Sequence, residues 1–236
     1  MAEDPGKRAI VFGASGGIGG AVTAQLRQSG DYEVLAGSRS GSGDFHFDLT
    51  DESSIARSAQ QVGSGKPIDF VFIATGLLHR DDGISPEKSW RALDATNMSE
   101  VFAVNAVGPT LVAKHFLPLL RRDRRAVFAA LSARVGSIAD NRLGGWHSYR
   151  ASKAALNMIL RNLAVELGRT HPQAVVAGLH PGTVDTGLSA PFQKGVKPER
   201  LFTADHSAER LLAVVEGLTP ADSGGVFAWD GARIPE

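Results

Sequence analysis

The sequence contains no cysteine. Disulfides, cysteine nucleophiles and thiolate metal sites are therefore excluded. It carries no net charge either, because 25 Lys and Arg balance 25 Asp and Glu. There is no global basic field to recruit nucleic acid or an anionic membrane. Long hydrophobic runs are missing as well. The N-terminal stretch Met1–Arg8 leads into the short apolar run Ala9–Phe12, too short for a secretion signal or a membrane helix. The expectation is a soluble, cytoplasmic protein with no nucleic-acid and no membrane partner. Its seven histidines are scattered, without His-Glu-x-x-His or a similar ligand spacing, so no metal site is expected. No internal repeat, low-complexity tract or linker is found. What is present is ordinary globular composition, 43% hydrophobic and 21% charged, over 236 residues. That length suits one large α/β domain or two small ones and can bury a sizeable core.

Ala9–Phe12 reads as a buried first strand. It runs into Gly13-Ala14-Ser15-Gly16-Gly17-Ile18-Gly19-Gly20, after which a helix reaches to about Gly30. Strand, glycine turn and helix are the setting of a dinucleotide fingerprint. Small residues let the backbone approach a pyrophosphate, which sits at the positive end of the helix. Tyr32–Ala36 reads as a second strand ending in Gly37-Ser38-Arg39-Ser40. A carboxylate here would accept from a ribose hydroxyl, whereas a cation accommodates a 2′-phosphate. No carboxylate is present. Ser38 can donate a hydrogen bond and Arg39 can form a charge-assisted pair with phosphate. The pattern favours NADP(H), with NAD(H) as the other possibility.

Asp44–Leu49 alternates and reads as a third strand, with Thr50-Asp51-Glu52 opening the next helix. Asp48 either accepts from an adenine amino group or caps that helix at Thr50. Phe70–Thr75 is a fourth strand, followed by Gly76. Residues 77–95 read as loop plus a short helix capped by Ser85-Pro86. Asn97-Met98-Ser99-Glu100 reads as the capping box of a long helix to about Leu120. Asn105 lies in its apolar stretch and needs partners if buried. It is either a satisfied packing residue or a distortion of the helix that holds water near Lys153. Arg125–Leu131 is a fifth strand, with Ser132 just past its end, where ligands meet open α/β sheets. Ala174–Leu179 is a sixth, ending in His180-Pro181-Gly182-Thr183-Val184-Asp185-Thr186, a turn with hydroxyls placed for phosphate or amide contacts. Residues 187–203 lack periodicity and read as a loop over a substrate. Ser207–Leu218 is a last helix and Val226–Trp229 a last strand. Strands and helices alternate throughout. The predicted fold is α/β, a single Rossmann domain over residues 1–236 with a doubly wound, mostly parallel sheet of about seven strands.

The chemistry centres on Tyr149 and Lys153, at the start of a helix running to about Gly168. Residues four apart on a helix share a face, so a phenol and an ammonium point at one spot. A nearby positive charge favours the ionised phenol. The pair is therefore expected to lower the pKa of Tyr149 and fit it for general acid–base work near neutral pH.

Together these residues resemble the short-chain dehydrogenase/reductase family over nearly the whole chain. Gly13-x-x-x-Gly17-Ile18-Gly19 looks like its cofactor loop, with Phe12 where a Thr usually stands. Asp48 matches an acid that contacts adenine. Asn105, Tyr149 and Lys153 match three of four catalytic positions. Pro181-Gly182 and Thr186 match the segment that holds the nicotinamide end. The resemblance thus implies a cofactor set of Gly13, Ser15, Gly17, Ile18, Gly19, Ser38, Arg39, Asp48, Leu49, Ala74, Thr75, Gly76, Tyr149, Lys153, Pro181, Gly182, Val184 and Thr186. Ser132-Ala133-Arg134-Val135-Gly136-Ser137-Ile138 and the ending Asp230-Gly231 look like the C-factor/sniffer-type carbonyl reductase branch. Three departures stand out, one being a loop between Ser132 and Tyr149 that is a few residues longer than usual. The family's Asn-Asn-Ala-Gly is here Ile73-Ala74-Thr75-Gly76, and its Ser-Ser pair is Ser132-Ala133. The catalytic hydroxyl is assigned to Ser132, with Ser137 or none as alternatives. The implied activity is hydride transfer between NADP(H) and a small-molecule carbonyl or alcohol, with Tyr149 as acid or base and Lys153, Ser132 and Asn105 assisting. The departures and the C-factor likeness leave a second reading, a dinucleotide-binding regulatory or signalling protein with little catalysis. Family members pair through the helices around Asn105 and Tyr149, which implies a homodimer or homotetramer.

Overall fold

Strands that are apolar on both faces need cover on both faces. Residues 6–236 are described here by a computed structural model of the protein; the N-terminal residues 1–5 of the stretch discussed above lie outside the described residues. The strands are β1 (Lys7–Phe12), β2 (Tyr32–Ser38), β3 (Phe45–His46), β4 (Phe70–Ile73), β5 (Ala126–Leu131) and β6 (Ala174–His180). They are followed by β7 (Thr183–Val184), β8 (Leu201–Phe202) and β9 (Val226–Ala228). One parallel sheet of seven strands runs in the order β3-β2-β1-β4-β5-β6-β9, and β7 with β8 forms a small separate ribbon. The helices are α1 (Gly17–Ser29), α2 (Glu52–Gly63), α3 (Ala95–Phe102), α4 (Gly108–Phe116), α5 (His147–Leu167) and α6 (Ala204–Gly217).

Every residue of β4 and of β5 is buried, which is why those strands are continuous apolar runs. Alternate side chains feed two cores. On one face Ile10, Phe12, Ile73 and Phe128 pack with residues of α2, α4 and α5, among them Ile55, Phe116 and Leu160. On the other, Val11, Phe72 and Val127 pack with Val22 of α1 and Leu211 of α6. Each such side chain contributes about 1.5–3 kcal/mol by leaving water. Phe12 meets Phe45, Phe47 and Phe116 edge-on at centroid distances of 5.3, 4.9 and 4.9 Å. It fills core volume, which explains an aromatic residue at this position. The strand order reverses between β1 and β4, and ligands in open α/β sheets bind where that reversal opens a crevice.

Several element boundaries differ from expectation. The third strand shrinks to Phe45–His46, because the Asp48 carboxylate accepts from Thr50 N and Thr50 Oγ1 at 2.8 and 2.7 Å and turns the chain. The cap of α2 is then Asp51, not Thr50. The helix expected from Asn97 is capped by Asp94, which accepts from Asn97 N at 2.8 Å. A charged cap also gains from the helix dipole. That helix is not continuous to Leu120: a π-turn at Ala103–Val107 separates α3 from α4, and a 3-10 turn with Pro118 ends it. Ser85-Pro86 caps no helix; a single 3-10 turn forms later, at Trp90–Ala92. The last helix starts earlier than Ser207, at Ala204, because Thr203 caps it by accepting from His206 N. The ribbon β7–β8 and short 3-10 turns give residues 187–203 more order than a plain loop.

Candidate active site

The turn after β1 is as tight as glycine allows. Gly13 has φ +84°, and the N–H groups of Gly13 and Ala14 both donate to Gly37 O at 3.1 Å. A Cβ on Gly19 would stand 2.2 Å from Gly13 O, and one on Gly17 would stand 2.7 Å from Thr186 Cγ2. Only glycine fits such approaches. No side chain caps the start of α1, which leaves its first N–H groups for a ligand.

A cavity of about 600 Å³ opens beside this turn. That volume lies within the usual range of ligand sites. Gly13, Ser15, Gly17 and Ile18 line one wall, and Arg39, Asp48 and Leu49 line the end beyond β2 and β3. Ala74, Thr75 and Gly76 line the segment after β4. Ser132, Tyr149 and Lys153 line another wall, and Pro181 and Thr186 bound the cavity from the β6 side. Gly19, Ser38, Gly182, Val184 and Asn105 are not among its lining residues. Gly19 packs under the turn. Ser38 is buried, its hydroxyl 3.4 Å from that of Ser40 and 3.2 Å from that of Ser42, and it faces a neighbouring cavity of about 380 Å³ that also touches Ser15 and Arg27. Gly182, at φ +79°, makes the turn after β6 against the Phe202 ring, and Val184 is buried in β7.

Lys153 Nζ donates to Leu131 O at 2.8 Å and lies 5.8 Å from the Tyr149 ring centroid. Lys153 is only 2% exposed. Burial disfavours the charged form of either group. It pulls the Lys153 ammonium down to about 8 and pushes the Tyr149 phenol up to about 12. The lowering of the Tyr149 pKa expected from the pair is therefore corrected. With its ammonium turned to the Leu131 carbonyl, Lys153 is outweighed by the desolvation of the phenol.

Ser132 Oγ donates to Asn157 Oδ1 at 2.6 Å. Ser137 is buried too, but its hydroxyl accepts from Asp140 N and does not line the cavity. Asn105 sits in the π-turn, so the helix is distorted there, yet its amide is also satisfied by protein. Its Oδ1 accepts from Leu77 N at 2.7 Å, and its Nδ2 donates to Leu77 O at 2.8 Å and Ser152 Oγ at 3.1 Å. This holds the chain after Gly76 close to Lys153: a Cβ on Gly76 would stand 3.9 Å from Lys153 Nζ. Asp48 turns its carboxylate to Thr50 while still lining the cavity, and those hydrogen bonds lower its pKa.

Sequence reasoning missed Asn157 as the partner of Ser132. The signal was available: Asn157 follows Lys153 by one helical repeat, on the same face as Tyr149. It also passed over Val104, Leu131 and Gly187, which line the cavity from neighbouring segments. Thr75 Oγ1 is buried without a hydrogen-bond partner. An orphan hydroxyl beside a glycine cradle suits a polar, phosphate-bearing ligand. Among the described residues no group of three or more His, Cys, Asp or Glu is placed to hold a metal ion, and no helix is long and apolar enough to cross a membrane.

The sequence model of the family described as short chain dehydrogenase matches residues 7–197. The chain belongs to the short-chain dehydrogenases. This short-chain dehydrogenase is 37% identical to the C-signal protein of Myxococcus xanthus over 150 residues, which cover 62% of this chain and 84% of that protein. It is 29% identical over 235 residues to 1-hydroxy-2-glutathionyl-2-methyl-3-butene dehydrogenase of Rhodococcus sp. (strain AD45), covering 95% and 97%. Its structure superposes on NADPH-bound carbonyl reductase from chicken fatty liver with a TM-score of 0.85 and 25% identity, covering 98% and 99%. The short-chain dehydrogenase is thus an oxidoreductase of this family.

Proposed function

We propose that this short-chain dehydrogenase is an NADP(H)-dependent carbonyl reductase, running as an alcohol dehydrogenase in reverse, with residues 1–236 acting as one cofactor-binding domain. One observation carries the reading: Tyr149, Lys153 and Ser132 line the same cavity as Arg39 and the glycine turn. Bound nicotinamide supplies hydride to a carbonyl carbon, or accepts it from an alcohol. The protein binds, orients and moves protons. Tyr149 gives its proton to the oxygen as charge develops there. A phenol kept neutral up to about 12 is in its donor form at every working pH. Lys153, with a pKa near 8 and lining the same cavity, resupplies that proton and holds a ribose hydroxyl. Ser132 fixes the oxygen's position from the other side by turning its hydroxyl proton from Asn157 Oδ1 to that oxygen. Asn105 acts indirectly by holding Leu77, so that Gly76 stays small and close beside Lys153. Arg39 meets a 2′-phosphate, and Asp48 accepts from an adenine amino group. The exposed apolar residues Val107, Met158 and Val165 support a homodimer or homotetramer formed through the α4 and α5 side of the molecule.

The test is a fluorescence titration with NADPH and NADH, using the three tryptophans as reporters. The expected result is NADH weaker by at least about tenfold, a gap of 1.4 kcal/mol. Equal affinities contradict the NADP(H) assignment.

A further inference from the structure

Trp146 is the one non-glycine among the described residues with positive φ, at +51°. It follows Gly144 and Gly145, both at φ +64°, and stands as the N-cap of α5, three residues before Tyr149. A bulky aromatic does not adopt the left-handed region without something to hold it. The holder is Glu87, only 7% exposed, from the segment after β4. Glu87 O accepts from Trp146 N at 2.5 Å, Glu87 Oε2 accepts from Ser148 N at 3.1 Å, and Glu87 Oε1 accepts from the Ser148 hydroxyl. A buried carboxylate is at home there because the start of a helix is positive. So held, the indole meets the Tyr149 ring at 6.2 Å and the Phe192 ring at 5.2 Å, inclined by 75° and 62°. Phe192 meets His79 at 5.5 Å, and the distance from His79 Nε2 to Gly187 O is 3.0 Å. The segment carrying Phe192 is thereby tied to the loop after β4. All four rings are half-buried; Tyr149 lines the cavity, and Trp146 packs on it from outside that lining.

We propose that Trp146 and Phe192 form an aromatic wall beside Tyr149 that selects carbonyl compounds bearing a flat apolar group on the carbonyl carbon, and that Glu87 is the positioning residue that sets this wall. The inference rests on the carbonyl reductase reading above and adds the substrate class. Edge-to-face packing leaves ring surface available for a further ring. A flat substituent lying there puts its carbonyl oxygen within reach of the Tyr149 hydroxyl. Glu87 touches no substrate; it acts through the backbone of Trp146 and the first turn of α5.

The test measures binding without turnover. The protein is saturated with NADP⁺ and titrated with acetophenone and, separately, 2-butanone, and NADPH-dependent reduction of both ketones is assayed in parallel. Wild type is expected to bind acetophenone the more tightly. Trp146→Ala is expected to weaken acetophenone by about tenfold and 2-butanone by less than about threefold, the scale of one lost pocket contact. Glu87→Ala is expected to move the ratio of the two ketones in the same direction. Glu87→Gln is expected to restore most of it, since an amide can still accept from Ser148 N and donate to its hydroxyl. Trp146→Phe keeps a ring and controls for misfolding. Equal weakening of both ketones by Trp146→Ala, or a wild type that binds both alike or neither, overturns the wall. A ratio unmoved in well-folded Glu87→Ala overturns the role of Glu87. Selective binding of acetophenone with no reduction of either ketone overturns instead the carbonyl reductase reading.

Discussion

Burial sets Tyr149 and Lys153 to opposite tasks, one a phenol held neutral and the other an ammonium brought near physiological pH. The sign of the pH dependence follows. Lys153 is protonated below about 8 and can resupply Tyr149; above it the reservoir empties. The expected kcat/KM for carbonyl reduction is flat at lower pH and bends downward near 8, with no bend from Tyr149 before about 12. A stopped-flow profile from pH 6 to 10 checks this range. The same shifts act on stability. Between about 8 and its ordinary value, Lys153 loses its proton in the folded chain but keeps it in the unfolded one, so this group's contribution rises with pH there. Tyr149 works the other way above its ordinary value of 10.0, where the unfolded chain ionises first and stability falls. The pairing of Tyr149 with Lys153 was readable from their spacing alone. The direction of the Tyr149 shift was not, because desolvation depends on packing brought from distant segments. Ser132 and Ser137 were equally plausible as residue types; only their positions, one on the cavity wall and one bonded to Asp140, separate them.

At the scale of elements, the glycine turn is a packing problem before it is a binding site. Gly19→Ala places a methyl group 2.2 Å from Gly13 O, which must push β1 and α1 apart. We expect this variant to lose NADPH binding by at least about tenfold and to be destabilised by about 1–3 kcal/mol, as over-packing costs elsewhere. Urea denaturation and cofactor titration measure the two effects. Gly30→Ala is the control: it has open space around it, so it strains only its own left-handed conformation. The strands, the turn and α5 were legible because apolar runs and glycine clusters are local signals. The π-turn at Ala103–Val107 was legible only as one of two readings of Asn105, a distortion of the helix. What was not legible is the partner of Asn105 there, since its amide takes both backbone groups of Leu77, far away in sequence. The short β7–β8 ribbon was missed for a like reason, since two-residue strands carry no period of their own.

For the whole molecule, the alternation of strands and helices was enough to specify a doubly wound sheet, and the seven strands pair in parallel throughout. Two cores cover the sheet, yet Val107 of the π-turn and Met158 and Val165 of α5 remain 50%, 63% and 52% exposed. Met158 and Val165, two helical turns apart, share one face of α5, and an exposed apolar face marks an interaction site. The double variant Met158→Glu with Val165→Glu is expected to sediment as a monomer, whereas wild type sediments as a dimer or tetramer. A monomeric wild type contradicts that expectation. The α5 helix whose outer face carries these residues also carries Tyr149 and Lys153, so assembly would brace the catalytic face.

The most direct measurement is single-turnover reduction of a carbonyl compound by Tyr149→Phe alongside its NADPH affinity. The account predicts a rate lower by at least about a hundredfold, the usual worth of a positioned proton donor, with cofactor affinity within about threefold of wild type. A variant that binds NADPH normally and reduces the carbonyl at the wild-type rate would contradict it.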